Sequence, residues 1–268
     1  MIRKPAVAGQ FYSDSPEALA LEIARCVETD AEPVPAIAVV APHAGYAYSG
    51  AVQGAVYSRV RIPMSVVVVG VNHAGAGADS AIMTEGAWAM PMGEVPIDEP
   101  LAKAILKRSR TLRDDPRAHQ NEHSREVQIP FLHHFQKDLR IVPIALHRAD
   151  AEVCRDVGSA CAEAIEEAGQ PTLLVASTDL SHEERDYERL KANDPMVIER
   201  ILARDPDGLL RKVAEHRVTM CGYGPTAAVL VAANLLGASE AILAKYSDSY
   251  AVSGSTDYVV GYAGIFIR

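Results

Sequence analysis

Polar residues that follow three apolar runs carry the strongest chemical signal in this sequence. They are His43 after residues 36–41, His73 after 66–71, and the pair Asp179 and His182 after 172–177. If these runs are strands of an open α/β sheet, their carboxyl ends border the crevice in which such proteins bind ligands. Imidazoles and a carboxylate brought there from separate strands predict a metal site or a proton-transfer site.

The first two histidines lie in turns rich in small residues. His43 stands in Pro42-His43-Ala44-Gly45, where close backbone approach to a ligand is allowed, although a loop histidine near a helix start explains it equally well. His73 stands in a glycine-rich segment that lacks the Lys-Ser/Thr ending of a phosphate-binding P-loop. We therefore favour a ligand to metal or substrate at His73 over a nucleotide site.

Asp179 and His182 are three residues apart directly after an apolar run. If the chain turns helical there, the two side chains face the same way, and the carboxylate would orient the imidazole and raise its basicity. The pair would then act as an orienting group and an acid/base group. The alternative is that Asp179 caps a helix and His182 is exposed in its first turn.

Cys221 lies in a glycine-containing turn ahead of an apolar helix, where a helix N-terminus favours the thiolate. Three roles remain open for it: metal ligand, catalytic nucleophile, or small buried hydrophobe. Cys26, Cys154 and Cys161 fall within predicted helices and are assigned to the core. His123 begins a predicted helix among acidic neighbours, and it either reaches the same crevice or lies on the surface.

Alternating strand and helix patterns position these residues. The predicted strands span residues 36–41, 66–71, 81–84, 140–146, 172–177, 241–246 and 258–267. The predicted helices span 16–27, 49–60, 98–109, 122–135 with a bend or break at Pro130, 151–168, two or three segments within 194–215, and 224–236. Strands separated by helical crossovers predict an α/β fold: one domain over residues 1–268, with a largely parallel or mixed central sheet flanked by helices on both faces.

Composition narrows the partners. The chain of 268 residues is 49% hydrophobic with a net charge of −9, and no lysine or arginine cluster interrupts the acidic balance. Nucleic acid and anionic membrane are therefore disfavoured, because both require clustered positive charge. No apolar run is long enough for a membrane span, and no signal peptide is recognisable. Four cysteines without a CxxC pair favour a reducing cytoplasm.

Several motifs in one order along the whole chain resemble the Memo family. They are Arg3–Tyr12, Pro42-His43-Ala44-Gly45-Tyr46-Ala47-Tyr48-Ser49-Gly50, Gly70-Val71-Asn72-His73, Glu122-His123-Ser124, Ser177–His182, Cys221–Pro225 and Val260-Gly261-Tyr262-Ala263. That family is similar in fold to the class III non-heme iron extradiol dioxygenases, so the resemblance implies the same fold here. Those enzymes hold Fe(II) with two histidines and a glutamate and use a further histidine as acid/base.

The resemblance implies roles for four of the candidate residues. His43 and His73 match the two metal histidines, and His182 matches the acid/base histidine. Asp179 and His123 are expected as further catalytic groups from their own positions in the sequence. Cys221 falls where the dioxygenases have their glutamate ligand. Two imidazoles and a thiolate imply Fe(II) or Cu, with Zn as a further choice. Prokaryotic relatives in the AmmeMemoRadiSam system also imply a functional link to a radical-SAM protein.

Three functions compete on this basis. The leading hypothesis is a metal-binding oxidoreductase that carries out O₂-linked oxidation of a small phenolic or other molecule. The second is a metal-independent hydrolase or acyltransferase with Cys221 as nucleophile, His182 as base and Asp179 as orienting group. The third is a non-catalytic module that binds a peptide or protein in the same crevice. Its walls would be the aromatic residues Tyr46, Tyr48, Trp88 and Tyr223.

Overall fold

Twelve strands and ten α-helices make up the chain, and the computed structural model describes all 268 residues. The strands are β1 (Ile2–Arg3), β2 (Ala38–Ala41), β3 (Ser65–Val71), β4 (Ser80–Ile82), β5 (Ala87–Met90), β6 (Gly93–Pro96), β7 (Arg113–Asp114), β8 (Arg140–Leu146), β9 (Thr172–Ser177), β10 (His182–Glu184), β11 (Ala241–Asp248) and β12 (Tyr258–Ile267). The helices are α1 (Pro16–Cys26), α2 (Tyr46–Tyr57), α3 (Glu99–Arg108), α4 (Arg117–Gln120), α5 (Ile129–Phe135), α6 (Ala151–Ala168), α7 (Tyr187–Leu202), α8 (Pro206–His216), α9 (Tyr223–Leu235) and α10 (Tyr250–Ser253).

Nine of the strands form one mixed sheet. Their order is β10-β12-β2-β9-β3-β8-β4-β7, and β11 pairs with the other edge of β12. The four central strands, β2, β9, β3 and β8, are parallel, whereas β12 and β4 run antiparallel to their neighbours in this core. The predicted α/β fold with a largely parallel or mixed sheet is confirmed. The three short strands β1, β5 and β6 form a separate small sheet.

The register of the central strands makes them end at one edge. Ala41 pairs with Ser177, and Val71 pairs with Leu146, so the last residues of β2 and β9, and of β3 and β8, lie side by side. β9 also pairs with β3. The loops that leave these strands therefore begin next to one another, which is the arrangement that builds a crevice at the carboxyl edge.

Helices cover both faces of the sheet. Helix α9 packs over β2, β9, β3 and β8 with α6 and α8 against it, while α2 packs on β2, β11 and β12 with α1 and α5 against it. Every residue of β2 and β3 is buried, which explains why both strands are continuous apolar runs. The α6–α9 contact is unusually close: a Cβ on Gly158 would lie 2.5 Å from the carbonyl oxygen of Ala228.

The prediction of a helix over residues 122–135 is wrong in its N-terminal half. Residues 126–128 form a short 3₁₀ turn, and α5 begins only at Ile129. Pro130 occupies the first turn of α5, where its missing N–H costs nothing, instead of bending a longer helix. The residues before it, including His123, form an irregular turn that presents side chains to the carboxyl edge of the sheet.

Two other regions differ from prediction. The segment after β9 does not turn helical; it continues to the short strand β10, which pairs antiparallel with β12. Helix α7 begins at Tyr187, earlier than the predicted start at residue 194, and accommodates Pro195 in its interior. Cys154 and Cys161 are buried in α6 as expected, and Cys26 at the end of α1 is half-buried. None of the helices combines the length and apolar character needed to cross a membrane.

Candidate functional site

The carboxyl ends of three adjacent parallel strands carry the candidate site. His43 follows the end of β2, Ser177 is the last residue of β9, and His73 follows the end of β3. A further histidine, His123, comes from the irregular turn that precedes α5. The structure brings His43, His73 and His123 together, so that one ring nitrogen from each lies within 4.8 Å of the other two.

The three imidazole rings have distinct orientations and exposures. The rings of His73 and His123 are stacked with their centroids 4.8 Å apart, and His43 meets both edge-on at 5.2 and 5.4 Å. His43 is only 2% exposed, whereas the side chain of His73 is 36% exposed. The cluster therefore has a closed side at His43 and a side open to solvent at His73.

Both ring nitrogens of His43 have defined neighbours. Nδ1 lies 3.1 Å from the hydroxyl of Ser177, and Nε2 lies 3.2 Å from Sγ of Cys221 and 4.0 Å from Oδ2 of Asp179. Burial, followed by the neighbouring His123 and His73, lowers the pKa of His43 well below its ordinary value. The buried ring is therefore neutral at pH 7, as a metal-binding imidazole must be.

His73 is oriented by a carboxylate that the sequence analysis did not single out. Its Nδ1 lies 3.1 Å from Oε1 of Glu122, and its backbone N–H donates to Oε2 of the same residue at 2.7 Å. Burial opposes ionisation of Glu122, but the hydrogen bond from His73 and the charge of Arg125 hold its pKa below the usual range. A carboxylate is a common hydrogen-bond partner of the non-coordinating nitrogen of a metal-bound histidine. With Glu122 on Nδ1, Nε2 of His73 remains free to bind a metal.

His123 belongs spatially to the histidine cluster. Its ring packs against Phe11 with centroids 4.9 Å apart, and its Nδ1 lies 3.5 Å from Oε1 of Glu122. Burial, opposed by Glu122 and assisted by His73, lowers the pKa of His123 to about 4, so this ring is also neutral at pH 7. Of the two places left open for it, the structure selects the crevice; its acid/base role stays a prediction.

Asp179 does not cap a helix, and its carboxylate hydrogen-bonds to the His43 loop and not to the ring of His182. Its Oδ1 accepts hydrogen bonds from the backbone N–H groups of His43 at 2.7 Å and Ala44 at 3.3 Å. Burial, opposed by the charge of His182, raises the pKa of Asp179 above its usual range. The carboxyl group therefore holds the loop that carries His43, and its Oδ2 is turned toward the ring of His43.

His182 opens strand β10, and backbone carbonyls fix its tautomer. Its Nδ1 lies 3.0 Å from the carbonyl oxygen of Leu180 and 3.1 Å from that of Thr219. Carbonyl oxygens only accept hydrogen bonds, so Nδ1 carries the proton in the neutral ring. Nε2 is then the basic nitrogen, which is the form that a general base requires.

Cys221 lies beside His43 just ahead of α9. Apart from its contact with His43 Nε2, its Sγ lies 3.7 Å from the carbonyl oxygen of Asp179. Burial and then the carboxylate of Asp179 raise the pKa of the Cys221 thiol, which opposes the activation of a thiolate expected from the helix N-terminus. Without a metal, the residue is a thiol that faces an imidazole nitrogen.

The donor set fits a metal ion. Three imidazoles converge, and Ser177 and Glu122 engage the Nδ1 atoms of His43 and His73, which leaves the Nε2 atoms available to bind a ligand. Three histidines with open positions form a common transition-metal site, as do two histidines with a thiolate. His43 therefore belongs to two sets of possible ligands: the cluster with His73 and His123, and the contact with Cys221.

Two aromatic residues expected in the crevice lie elsewhere. Trp88 is fully buried beneath the guanidinium of Arg3, and Tyr46 is buried with its hydroxyl donating to the carbonyl of Val127. The proposal that Trp88 and Tyr46 line a cleft is therefore wrong. Tyr48 remains exposed on α2, and Tyr223 is half-buried.

An α/β sheet with a histidine cluster at its carboxyl edge is the class of protein that this fold and site define. The family described as Memo-like protein matches residues 3–266. The chain is 43% identical to the MEMO1 family protein MK0963 of Methanopyrus kandleri, with 100% of this chain and 99% of that protein covered. It is 42% identical to the MEMO1 family protein MTH_45 of Methanothermobacter thermautotrophicus, with 98% and 99% covered. The chain belongs to the Memo family.

A solved structure of an uncharacterized Escherichia coli protein, JW3007, is a distant structural match. It is 14% identical in sequence, the alignment covers 84% of this chain and 98% of that chain, and the TM-score is 0.46.

Proposed function

We propose that this Memo-family chain is a metal-dependent oxidoreductase that couples O₂ to the oxidation of a small molecule, a phenol or catechol being the first candidate. One observation supports it above the others: three imidazoles converge at the carboxyl edge of the sheet within 4.8 Å of one another, and burial keeps those of His43 and His123 neutral at pH 7. Neutral imidazole nitrogens suit Fe(II), Cu and Zn, and three protein ligands leave positions for a substrate and O₂. A bound Fe(II) or Cu ion would supply the redox chemistry.

The residues around the cluster supply the other parts of such a reaction. His182 offers a basic Nε2, because its Nδ1 is held by two carbonyl oxygens. We assign to this nitrogen the role of accepting the proton of a substrate hydroxyl. Asp179 holds the loop of His43 through two backbone hydrogen bonds. The half-exposed face at His73 is the side from which a small molecule would enter.

Two ligand sets are compatible with the position of His43. In the first, His43, His73 and His123 bind the metal, and Cys221 stays a neighbour. In the second, which the family resemblance favours, His43 and His73 bind with Cys221, and His123 is an acid/base or substrate-facing residue. The metal itself, the cytoplasmic location and the link to a radical-SAM protein remain parts of this proposal.

Elemental analysis of untagged protein purified anaerobically tests the metal site. We expect near-stoichiometric iron or copper in the wild type and its loss in His43→Ala, with His133→Ala on α5 as the matched control. An empty wild type that also fails to take up added Fe(II) would overturn the proposal. Wild-type protein that contains metal would then be screened for O₂ consumption with catechols.

Cobalt substitution separates the two ligand sets. A thiolate bound to Co(II) gives a strong charge-transfer absorption in the near ultraviolet, and imidazoles do not. We expect Cys221→Ser to remove that band if the second set is correct and to leave the Co(II) spectrum unchanged if the first set is correct. His123→Ala is the reciprocal variant, because it changes the visible spectrum only if His123 is a ligand.

A metal-independent cysteine hydrolase is the second candidate, because Sγ of Cys221 lies 3.2 Å from Nε2 of His43. The imidazole in that pair is His43 and not His182, and Asp179 contacts backbone amides of the His43 loop. Iodoacetamide labelling decides between the candidates. Rapid, pH-dependent alkylation of Cys221 that added metal does not slow favours the hydrolase, whereas protection by metal favours ligation.

A protein partner that still binds after loss of both His43 and His73 would favour the third candidate, a non-catalytic binding module.

A further inference from the structure

A chain of buried polar groups leads from the end of helix α2 to the ring of His43. Its members are all fully buried: Tyr57, Gln128, Ser177 and Ser124. Polar groups this deep are costly unless hydrogen-bonded, and each of these has a partner. We propose that Gln128 is a positioning residue that acts through Ser177 to fix the tautomer of His43. Only the consequence for metal binding rests on the proposed function.

The orientation of the Gln128 amide follows from its neighbours. The hydroxyl of Tyr57 donates to Oε1 at 2.8 Å, and Nε2 donates to the carbonyl oxygen of Pro42 at 2.8 Å and to Oγ of Ser177 at 2.8 Å. A flipped amide would set its oxygen against the Pro42 carbonyl, which has no proton to donate. The nitrogen end of Gln128 must therefore point at Pro42 and Ser177.

The proton of Ser177 is fixed in turn. A hydroxyl has one proton and two lone pairs, and the Ser177 oxygen contacts three groups. It donates to the carbonyl oxygen of Ser124, which can only accept, and it receives a proton from Gln128. One lone pair is left, and it faces Nδ1 of His43 at 3.1 Å.

The His43 ring must therefore carry its proton on Nδ1. The opposite tautomer would bring two lone pairs together at that contact and would put a proton on Nε2. With Nδ1 protonated, Nε2 is a free acceptor directed at the histidine cluster and Cys221. Gln128 thus prepares a free nitrogen on the most buried histidine of the cluster before any metal binds.

Nitrogen NMR of ¹⁵N-histidine-labelled, chelator-treated protein tests the tautomer directly, with His43→Gln used to assign the His43 signals. We expect the shifts of a single Nδ1–H tautomer in the wild type and a mixture of both tautomers in Gln128→Leu. Ser177→Ala, a smaller change, provides a second variant if Gln128→Leu folds poorly. An Nε2–H tautomer in the wild type, or an unchanged tautomer in a folded variant, would overturn the assignment.

Metal affinity provides the functional readout. We expect Co(II) affinity to fall about 10-fold in Gln128→Leu, the usual effect of losing an outer partner of a metal-bound histidine. Gln53 on α2 is also fully buried, and the same substitution there should leave the Co(II) affinity unchanged. Equal losses in the two variants would show a general packing effect and contradict the positioning role. If the wild type binds no Co(II), the proposed function fails, and the NMR result still decides the tautomer.

Discussion

The pairing of His73 with Glu122 shows how one carboxylate prepares an exposed imidazole. Glu122 accepts from the ring and the backbone of His73 and from the backbone N–H of Ser124. It is almost fully buried, whereas His73 is not. A carboxylate on Nδ1 raises the basicity of the ligand nitrogen on the other side of the ring.

Replacing Glu122 with glutamine should weaken the proposed metal binding about 10-fold without unfolding the protein. The amide keeps one acceptor for the backbone donors but removes the negative charge that polarises His73. Competition titration with a chelator measures the affinity, and Glu166→Gln on the exposed side of α6 is the control. Wild-type affinity in Glu122→Gln would contradict the role of the carboxylate.

Sequence reasoning could name the histidines, the cysteine and Asp179 of this site but not the contacts that orient the rings. His43, His73, Asp179 and His182 follow strands, and strand ends meet at one edge of a parallel sheet. Glu122 shows no such signal, because its partner His73 lies 49 positions away and their contact depends on the path of an irregular turn.

At the level of elements, helices α6 and α9 touch through a glycine. Gly158→Ala would normally stabilise a helix, since alanine has the higher propensity. Here the new methyl group would meet the Ala228 carbonyl and the Val231 side chain, so we expect destabilisation by about 1–3 kcal/mol from overpacking. Chemical denaturation measures the change, with Ser159→Ala on the same helix as the control. A more stable Gly158→Ala would show that the two helices are not this close.

Asp156 of α6 ties that helix to the segment between α3 and β7. Its carboxylate accepts from the hydroxyls of Ser109 and Thr111 and from the backbone N–H groups of Arg110 and Thr111. Burial opposes its ionisation, but these hydrogen bonds lower the pKa of Asp156 to about 2. The folded state therefore favours the ionised form.

The lowered pKa of Asp156 predicts a pH-dependent contribution to stability. Because the folded pKa lies below the unfolded value of about 4, the contribution is complete above pH 4 and is lost as the pH falls toward 2. We expect Asp156→Asn to reduce the free energy of unfolding by about 2 kcal/mol at pH 7, and the difference to shrink steadily and disappear once the pH falls through about 2. Urea denaturation across this range measures it, with the exposed Asp30→Asn as the control. A pH-independent difference would contradict the assignment.

The elements themselves were largely predictable, and the errors have local causes. The buried strands β2, β3, β8 and β9 were recognised because continuous β-branched and apolar runs are typical of a sheet covered on both faces. The predicted helix 122–135 begins too early because residues 122–125 are all polar, offer no apolar periodicity that would mark the true start, and form an irregular turn. The strand β10 was missed because only its pairing with β12 defines it.

At the level of the whole molecule, a buried glutamate joins the N-terminal segment to the site. Glu126 accepts hydrogen bonds from the backbone N–H groups of Ala6 and Val7 and from the Tyr12 hydroxyl, and it forms a buried ion pair with Arg3. The same segment carries Phe11, whose ring packs on His123. The N-terminal segment is therefore a wall of the histidine cluster.

Glu126→Gln should loosen this wall. Removing one partner of a buried ion pair leaves the charge of Arg3 uncompensated, and we expect a loss of about 3 kcal/mol in stability. The amides of Ala6 and Val7 should exchange with deuterium faster than in the wild type, while amides of the central strands change only by the global loss. Uniformly faster exchange across the chain would show that the glutamate stabilises the fold without a specific tie to this segment.

The order of strands in the sheet also dictates when the histidine cluster can come into existence. Strand β9 lies between β2 and β3, and its Ser177 is 134 positions beyond His43. A nascent chain leaving the ribosome carries His43, His73 and His123 long before it carries β9. That strand separates β2 from β3 in the sheet and supplies the Ser177 hydroxyl that contacts His43. Such long-range pairing is slow compared with local helix formation. The proposed metal should therefore be acquired after synthesis, by a sheet that is already complete, and the metal-free chain should reach its native topology unaided.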